Sequence, residues 1–348
     1  MKADKHLLPS GSSIKQALEK LNDLGNFLTL FVIDADRKVL GTITDGDIRR
    51  AILKGISVDH SVEPVMNTKF TALQADTYSF EDIRKIRERL IKLVPVVDSV
   101  GRILRLLNLE KVKTILPLDA VVMAGGEGRR LRPMTEHTPK PLLKIGTKPI
   151  IEYNIERLAE YGVENCYITI KYLGEQIRDY FRDGEKYDMH IGYVEETGEP
   201  LGTIGSVALI NEFKHDCVLV MNSDLLTNID YEDFYLEFEK SDAAMAVATI
   251  PYQVKIPYAV LETNKELITG FKEKPTYTYY SNGGIYLIKK QALSIIPKGK
   301  HYNATDLMDY LISAKQKVIT YPLYCYWLDI GKPEDFQKAQ EDIHHIKF

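Results

Sequence analysis

The sequence predicts an α/β protein in two parts: a mostly parallel sheet domain over residues 119–348, preceded by a smaller α+β repeat pair over residues 1–116. Three observations carry this prediction. From Ala120 onward, short apolar runs alternate with amphipathic stretches, the pattern of βαβ units whose strands pair in parallel. Before Leu118, FVIDADRKVLGTITDGDIRR and VPVVDSVGRILRLLNLEKVK align without gaps on Asp34 and Asp98, so a unit at about 7–58 recurs at about 66–113. Between these patterns, Val121-Val122-Met123 breaks into Gly125-Gly126-Glu127-Gly128 and continues through Arg129, Arg130 and Arg132 to Lys140, which stands between two prolines. Glycines after a buried strand let backbone N–H groups approach an anion, and the basic residues supply charge around it. A nucleoside triphosphate is the simplest such ligand.

In chain order, residues 13–24 place Ile14, Ala17, Leu18, Leu21 and Leu24 at helical spacing before a Gly25 stop. Strands are expected at 27–33 and 39–44, separated by the turn Asp34-Ala35-Asp36, with a helix at 47–53. The second copy predicts a helix at 79–91 and strands at 93–97 and 103–107. Each copy reads as a helix–strand–strand–helix unit that cannot bury its sheet face alone. Residues 112–118, with Pro117, read as the linker. Beyond it, strands are expected at 120–124, 166–171, 190–194 and 218–221, with helices at 150–161, 173–182 and 204–210. Parallel α/β sheets bind ligands outside the carboxyl ends of their strands. The Gly125 loop and Asn222-Ser223-Asp224 each directly follow a strand, so they are expected to share one crevice.

Composition narrows the function classes. The net charge is −4, with 19 Lys+Arg against 15 Asp+Glu through Leu118 and 26 against 34 beyond it. The acidic part carries the glycine loop, which argues against nucleic acid as a partner and suits a metal-assisted site for a small anion. Cys166, Cys217 and Cys325 lie far apart in apolar runs and read as reduced, buried thiols. None of the 8 histidines has ligand spacing, so zinc is not expected. No signal-peptide pattern and no membrane-length apolar run occurs, which gives the expectation of a cytoplasmic protein with no membrane partner.

The glycine loop is not a Walker A loop, because no Gly-Lys-Ser/Thr follows, and it lacks the third glycine of the dinucleotide fingerprint. It resembles the signature of sugar-phosphate nucleotidyltransferases, Gly-Gly-x-Gly-Thr-Arg-Leu-x-Pro followed by Pro-Lys-Pro-Leu, with Arg129 where threonine is usual. Glu199-Pro200-Leu201-Gly202-Thr203-Ile204-Gly205 resembles the family's base-binding loop and Asn222-Ser223-Asp224 its metal-binding aspartate motif. Pro257-Tyr258-Ala259-Val260, Glu273-Lys274-Pro275, Asn282-Gly283-Gly284-Ile285-Tyr286 and Asp329-Ile330-Gly331-Lys332-Pro333-Glu334-Asp335 follow in the family's order. The resemblance implies a Rossmann-like, GT-A-like domain that joins a nucleoside triphosphate to a sugar 1-phosphate and releases pyrophosphate.

Such chemistry needs no general base, because the sugar phosphate is already ionised; the difficulty is holding two anions in line. Oxygen-ligated Mg²⁺ and cations do this. The resemblance implies that Asp224 and Asp329 hold Mg²⁺, and that Arg130 and Lys140 meet the triphosphate. It implies that Lys274 neutralises the sugar phosphate and that Glu273 accepts from sugar hydroxyls. Ala124, Gly125, Gly126, Gly128 and Gly202 would present backbone to the nucleotide, while Tyr258, Ala259, Asn282 and Gly284 would border the sugar. Trp327 reads as a core anchor beside Asp329, and Tyr277, Tyr279 and Tyr280 as a lid, a sugar wall or polar-tipped packing. The loop at Pro200 after Glu195-Glu196 resembles the guanylyltransferase branch, so GTP is the favoured donor, with mannose 1-phosphate or glucosamine 1-phosphate as acceptor.

Gly41-Thr42-Ile43-Thr44-Asp45-Gly46-Asp47 and Pro64-Val65-Met66 resemble a tandem CBS-domain pair. The resemblance implies an adenine or guanine nucleotide held through Thr44 and Asp47, or a pair that only packs or dimerises the enzyme, giving a homo-oligomer. Asn108 and Lys111 stand at the equivalent places of the second copy, so one pocket at most matches the pattern. The fusion is similar to that of glucosamine-1-phosphate guanylyltransferases of legionaminic acid synthesis. A uridylyl-, thymidylyl- or cytidylyltransferase, a glycosyltransferase, and a nucleotide sensor with an inactive transferase part are the alternatives.

Overall fold

A computed structural model describes residues 3–25, 28–75 and 77–346. Phe27, the expected start of a strand, lies outside the described residues. The chain divides into two compact units, Met1–Ile115 and Leu116–Phe348.

In the first unit, β1 (Leu7–Pro9), α1 (Ile14–Leu24), β2 (Thr29–Ile33), β3 (Val39–Thr44) and α2 (Asp45–Leu53) form one copy of the repeat. The second copy comprises β4 (Leu73–Gln74), α3 (Phe80–Glu88), β5 (Leu93–Val97) and β6 (Ile103–Asn108). Each builds a three-stranded sheet whose first pairing is parallel and whose second is antiparallel. The irregularity falls at equivalent places, Val32/Ile33 and Val96/Val97. The copies are tied reciprocally: Val39 N–H donates to Gly101 O at 3.0 Å and Ile103 N–H to Arg37 O at 3.1 Å. Leu7, Phe31, Val39, Leu93, Val97, Ile103 and Leu106 make a joint core, the burial that neither copy achieves alone.

The α-helices α1, α2 and α3 of this unit open with capping boxes, Ser13 with Gln16, Thr44 with Asp47 and Ser79 with Asp82. The short leading strands β1 and β4 were not expected, being too brief for a periodic signal. The closing helix expected in the second copy is absent among the described residues. Asn108 there accepts from Glu110 N–H at 3.0 Å in a tight turn, and Lys111 offers no acceptor to complete a box. The helix expected at 79–91 ends at Glu88, with Leu90 in the left-handed region at φ 58°.

The second unit begins sooner than the expected linker allows. Leu116 is buried and donates its N–H to Tyr161 O, and Leu118 already starts β7 (Leu118–Ala124). The short pair β8 (Lys144–Ile145) and β9 (Lys148–Pro149) leads to α4 (Ile150–Glu160), β10 (Asn165–Ile170), α5 (Gly174–Phe181) and β11 (His190–Glu195). Next come β12 (Cys217–Asn222), β13 (Leu225–Thr227), α6 (Tyr231–Ser241), β14 (Met245–Lys255), β15 (Val260–Asn264) and β16 (Leu267–Lys272). The chain ends through β17 (Thr276–Lys289), α7 (Lys290–Leu293), α8 (Ala304–Ser313), β18 (Val318–Pro322), β19 (Trp327–Asp329) and α9 (Pro333–Asp342).

Seven strands form the main sheet in the order β11-β10-β7-β12-β17-β14-β18. Pairings β11–β10, β10–β7, β7–β12 and β14–β18 are parallel, while β17 runs antiparallel to both neighbours. The sheet is thus rich in parallel strands, as expected, with one reversed strand inserted. The helix expected at 204–210 is a 3-10 turn, Gly205–Leu209, pressed by Gly202 and Gly205 against the backbone at 300–302. Cys166 and Cys217 are buried thiols, but Cys325 is exposed in the loop between β18 and β19, so its apolar neighbours misled the expectation.

Candidate active site

The carboxyl ends of β10, β7 and β12 open into a crevice of about 760 Å³. Its lining includes Gly125, Gly126, Gly128, Arg130, Lys140, Gly202 and Asp224. The predicted nucleotide residues therefore meet on one surface, and Ala124 is the buried last residue of β7 just before them.

The loop is shaped by close backbone approach. Gly128 has φ 64°, and a Cβ there would lie 2.9 Å from Lys140 Cβ. Both the dihedral and the space exclude a side chain, so the glycine brings the loop against the Lys140 turn. Thr135 Oγ1 locks this contact by donating to Gly128 O at 2.9 Å, and Leu131 anchors the turn in the core. Arg129 is drawn into a two-pronged pair with Glu127, Nε–Oε2 at 2.6 Å and Nη2–Oε1 at 3.0 Å. Those hydrogen bonds hold the Glu127 carboxyl below its ordinary value. Arg129 thus carries its charge at the crevice lip already compensated.

Lys140 is buried on a 3-10 turn, Lys140–Leu142, and its Nζ pairs with Asp224 Oδ2. Asp224 follows β12, and its backbone O accepts from Ile330 N–H at 3.1 Å, which sets Asp329 on β19 beside it. Asp224 Oδ1 and Asp329 Oδ1 are buried without a hydrogen-bond partner. Burial, reinforced by the charge of Asp224, pushes the Asp329 carboxyl above its ordinary value against the pull of Lys140 and Arg130. Arg130 stands over Gly331, where a Cβ would approach its Nη2 to 3.3 Å.

Two adjacent carboxylates with orphaned oxygens fit a divalent cation, which would satisfy both and relieve their repulsion. Among the described residues no group of three or more His, Cys, Asp or Glu is arranged to hold a metal. A two-carboxylate set is what Mg²⁺ uses when water and substrate phosphate complete its shell.

The predicted sugar residues are not gathered in this way. Tyr258, Ala259, Glu273 and Lys274 are exposed around the β15–β16 ribbon and do not line the crevice. Lys274 adopts φ 43°, a left-handed turn leading into Pro275. Asn282 accepts from Gly284 N–H at 2.9 Å within β17 rather than facing the crevice. Gly284 does reach its wall: a Cβ there would lie 2.6 Å from Nδ2 of Asn222, a lining residue. Trp327 is half-buried and donates Nε1–H to Gly283 O at 2.9 Å, the anchoring role expected of it.

Sequence reasoning passed over Lys171, Tyr172, Thr169 and Ser206, all of which line the crevice, and read Glu196 only as part of an acidic run. Lys171 directly follows β10, so the rule that singled out Asp224 after β12 also points to it.

In the first unit, Thr44 lines a separate cavity of about 350 Å³ with Thr42, Asn67, Lys69, Arg89 and Lys92. Asp47 does not line it. Its carboxylate accepts from Thr44 N–H at 2.9 Å and Thr44 Oγ1–H at 2.6 Å, and it pairs with Arg50.

The crevice combines a glycine loop, buried and lip cations and Asp224 at the ends of parallel strands, with Asp329 beside Asp224, an arrangement suited to a phosphate-bearing ligand. The nucleotidyl transferase family model matches residues 119–346 and the CBS domain model matches residues 1–54. The chain belongs to the nucleotidyl transferase family and carries a CBS domain at its N-terminus. The "Bifunctional protein GlmU" of Methanocaldococcus jannaschii is 34% identical over 231 residues, which cover 64% of this chain and 54% of that protein. The mannose-1-phosphate guanylyltransferase of Mycobacterium tuberculosis is 30% identical, covering 65% of this chain and 64% of its own length. The UTP–glucose-1-phosphate uridylyltransferase of Synechocystis is 31% identical, covering 64% and 62%. The chain thus spans between 54% and 64% of the length of these relatives. Among solved structures, HddC from Yersinia pseudotuberculosis complexed with GMP-PN superposes with a TM-score of 0.50 at 25% identity, covering 65% of this chain and 99% of that one. No helix among the described residues is long and apolar enough to cross a membrane.

Proposed function

We propose that the second unit transfers GMP from GTP to a sugar 1-phosphate, mannose 1-phosphate or glucosamine 1-phosphate, releasing pyrophosphate. The observation that carries the reading is the pair of orphaned carboxylate oxygens, Asp224 Oδ1 and Asp329 Oδ1, of which Asp224 lines the crevice with buried Lys140 and the glycine loop and Asp329 stands beside it on β19. Asp224 and Asp329 would hold Mg²⁺, which when bound supplies positive charge to the reacting phosphates. Lys140 and Arg130 stabilise charge on the departing pyrophosphate. Gly125, Gly126, Gly128 and Gly202 let the backbone approach the nucleotide. Lys274 and Glu273 receive the sugar phosphate on the exposed ribbon, and Tyr258, Ala259, Asn282 and Gly284 border it. GTP is favoured by Pro200-Leu201-Gly202-Thr203 following Glu195-Glu196 and by the similarity to a mannose-1-phosphate guanylyltransferase.

The first unit is proposed to bind an adenine or guanine nucleotide in the cavity at Thr44, where Lys69, Arg89 and Lys92 offer charge to its phosphates. Asp47 then serves the cap of α2 unless the Thr44 contact opens.

Pyrophosphate release measured across GTP, UTP, CTP, dTTP and ATP against a set of sugar 1-phosphates tests the assignment. Turnover is expected with GTP and dependent on Mg²⁺. No release with any pair would falsify transfer, and turnover with UTP alone would replace the donor. Repeating the assay with AMP, ATP or GMP reads the first unit, where a shift in rate or melting temperature is expected.

A further inference from the structure

We propose that Tyr172 is a positioning residue for the arm that carries the phosphate-binding cations, holding Arg130 and Lys140 where a triphosphate meets them. Its role rests on the nucleotidyl-transfer reading of the crevice. Tyr172 lines that crevice from the turn between β10 and α5. Its hydroxyl is shared between two carbonyls of the arm, Thr135 O at 3.1 Å and Glu136 O at 3.0 Å. Four residues on, in the first turn of α5, Gln176 Nε2 donates to His137 O at 3.0 Å. Consecutive carbonyls of the arm, from Thr135 to His137, are thus held from one short stretch of chain.

The arm needs such support because no α-helix or sheet strand runs through it. Between β7 and β8 the chain forms two 3-10 turns, Arg129–Leu131 and Lys140–Leu142. Its backbone hydrogen bonds are local: Leu131 N–H donates to Gly128 O at 2.9 Å, Met134 N–H to Leu131 O at 3.0 Å and Glu136 N–H to Pro133 O at 3.1 Å. Bonds that close three residues back shape each turn without fixing where the turn stands. Leu131 and Thr135 are buried, but Arg132, Met134, Glu136 and His137 are exposed, so burial tacks the stretch down at few points.

The contact reaches both cations through one residue. Thr135 receives the Tyr172 hydroxyl on its carbonyl and donates its own Oγ1–H to Gly128 O at 2.9 Å. A Cβ on Gly128 would meet Lys140 Cβ at 2.9 Å and Thr135 Cγ2 at 3.1 Å. Gly128 also opens the turn that carries Arg130. Thr135, Gly128 and Lys140 are therefore packed as one block, and a shift of Thr135 moves the cations with it.

The other end of the contact is rigid. Gly174 is buried, and a Cβ there would lie 2.8 Å from Cβ of Ile170, the last residue of β10, so α5 starts in direct contact with the sheet. Ile177 and Phe181 bury the same helix. Tyr172 thus refers the arm to β10, the parallel neighbour of the strand that ends in the glycine loop. A tyrosine spans the gap with a rigid ring and two side-chain torsions, so little freedom is lost in holding the arm. Charges aimed at a polyanion act most strongly when they need not reorganise, and a misplacement of about 1 Å can cost a hundredfold in rate.

The test uses the full chain with Tyr172→Phe, which keeps the ring and removes the hydroxyl, and with Gln176→Ala. Calorimetric binding of GTP and UTP is compared with that of GMP and UMP, so the outcome does not hang on the base, and pyrophosphate release is followed beside it. Both residues lie in the second unit, so a change in binding reports the crevice. Tyr172→Phe is expected to weaken the bound triphosphate about tenfold. The monophosphate, which lacks the β- and γ-phosphates, and the sugar-phosphate KM are expected to stay unchanged. Gln176→Ala should act in the same sense, about threefold. In an Arg130→Ala background the effect of Tyr172→Phe is expected to shrink to about threefold, because part of what it positions is gone. Equal losses for triphosphate and monophosphate, or a tenfold effect that persists without Arg130, make Tyr172 a general support of the fold and overturn the assignment. Unchanged triphosphate binding in Tyr172→Phe also overturns it and leaves transfer in place. A wild type that releases no pyrophosphate, but whose triphosphate binding depends on Tyr172, removes the transfer reading and keeps the positioning role.

Discussion

The two regions of the second unit proposed to receive its substrates are built on opposite principles. The crevice at β7, β10 and β12 is pre-assembled: Lys140 is buried against Asp224, the glycine loop is pinned by Thr135, and Asp329 is held beside Asp224 by strand pairing. The ribbon that carries Tyr258, Glu273 and Lys274 is exposed, and none of these three lines the crevice. The difference teaches where preorganisation is spent. Fixed charge in a dry site acts strongly on a polyanion, whereas an exposed lysine is screened by water and salt.

Substitutions on either side of this divide test the contrast, and the largest effect belongs to the carboxylates. Asp224→Asn and Asp329→Asn are each expected to cut Mg²⁺-dependent pyrophosphate release on the order of a thousandfold. Asp329→Asn should keep its far-UV circular dichroism melt, since it removes repulsion between the two carboxylates, whereas Asp224→Asn also leaves buried Lys140 without its counter-ion and is expected to lower the melting temperature. Full activity in both variants removes the metal assignment. Lys140→Ala comes next, with an expected fall in kcat of about a hundredfold and little change in the sugar-phosphate KM. It also leaves Asp224 buried without its cation, so a lower melting temperature is expected in the same sample.

Lys274→Ala should behave differently. Steady-state assays are expected to show a rise in sugar-phosphate KM of about fivefold to tenfold, the scale of one exposed charge, with the GTP KM unchanged. An equal effect on both substrates would erase the proposed division of labour.

The smallest effect lies away from both regions and measures the scaffold. Glu152 is buried on α4, where Lys186, Tyr180 and Tyr187 donate to it. Burial raises its pKa, but these hydrogen bonds more than offset that and hold it below the ordinary value. Its stabilisation is complete above the ordinary glutamate pKa of about 4.3 and fades as pH falls through its lower folded value. Glu152→Gln is therefore expected to cost about 2 kcal/mol at neutral pH and to flatten the acid limb of a stability-against-pH curve. A variant with the same acid limb as wild type would show that other carboxylates carry it.

Much of this protein was legible in its sequence because the signals are local. Alternating apolar runs and glycine stops located β7, β10, β11 and β12, and the ungapped repeat on Asp34 and Asp98 located two strands of each three-stranded sheet. That Gly125, Lys140 and Asp224 line one crevice was legible for the same reason, since they sit immediately after strands or inside short turns. Strands too short for periodicity, β1 and β4, escaped notice. Cys325 was misread, because apolar neighbours in the chain do not report what covers a loop.

What the chain order alone determined was the set of chemical groups and the strand ends on which they stand. Tertiary structure decided the rest. It inserted β17 against the parallel strands, turned the Asp47 carboxylate into a helix cap, compensated Arg129 with Glu127, and left one oxygen each of Asp224 and Asp329 without a partner. The physical reason is that pairing and burial depend on distances between residues remote in sequence: Lys140 and Asp224 are 84 positions apart, and Thr227 and Tyr326 are 99. Local propensity carries no record of such separations, while the free energy of a buried charge depends on them directly.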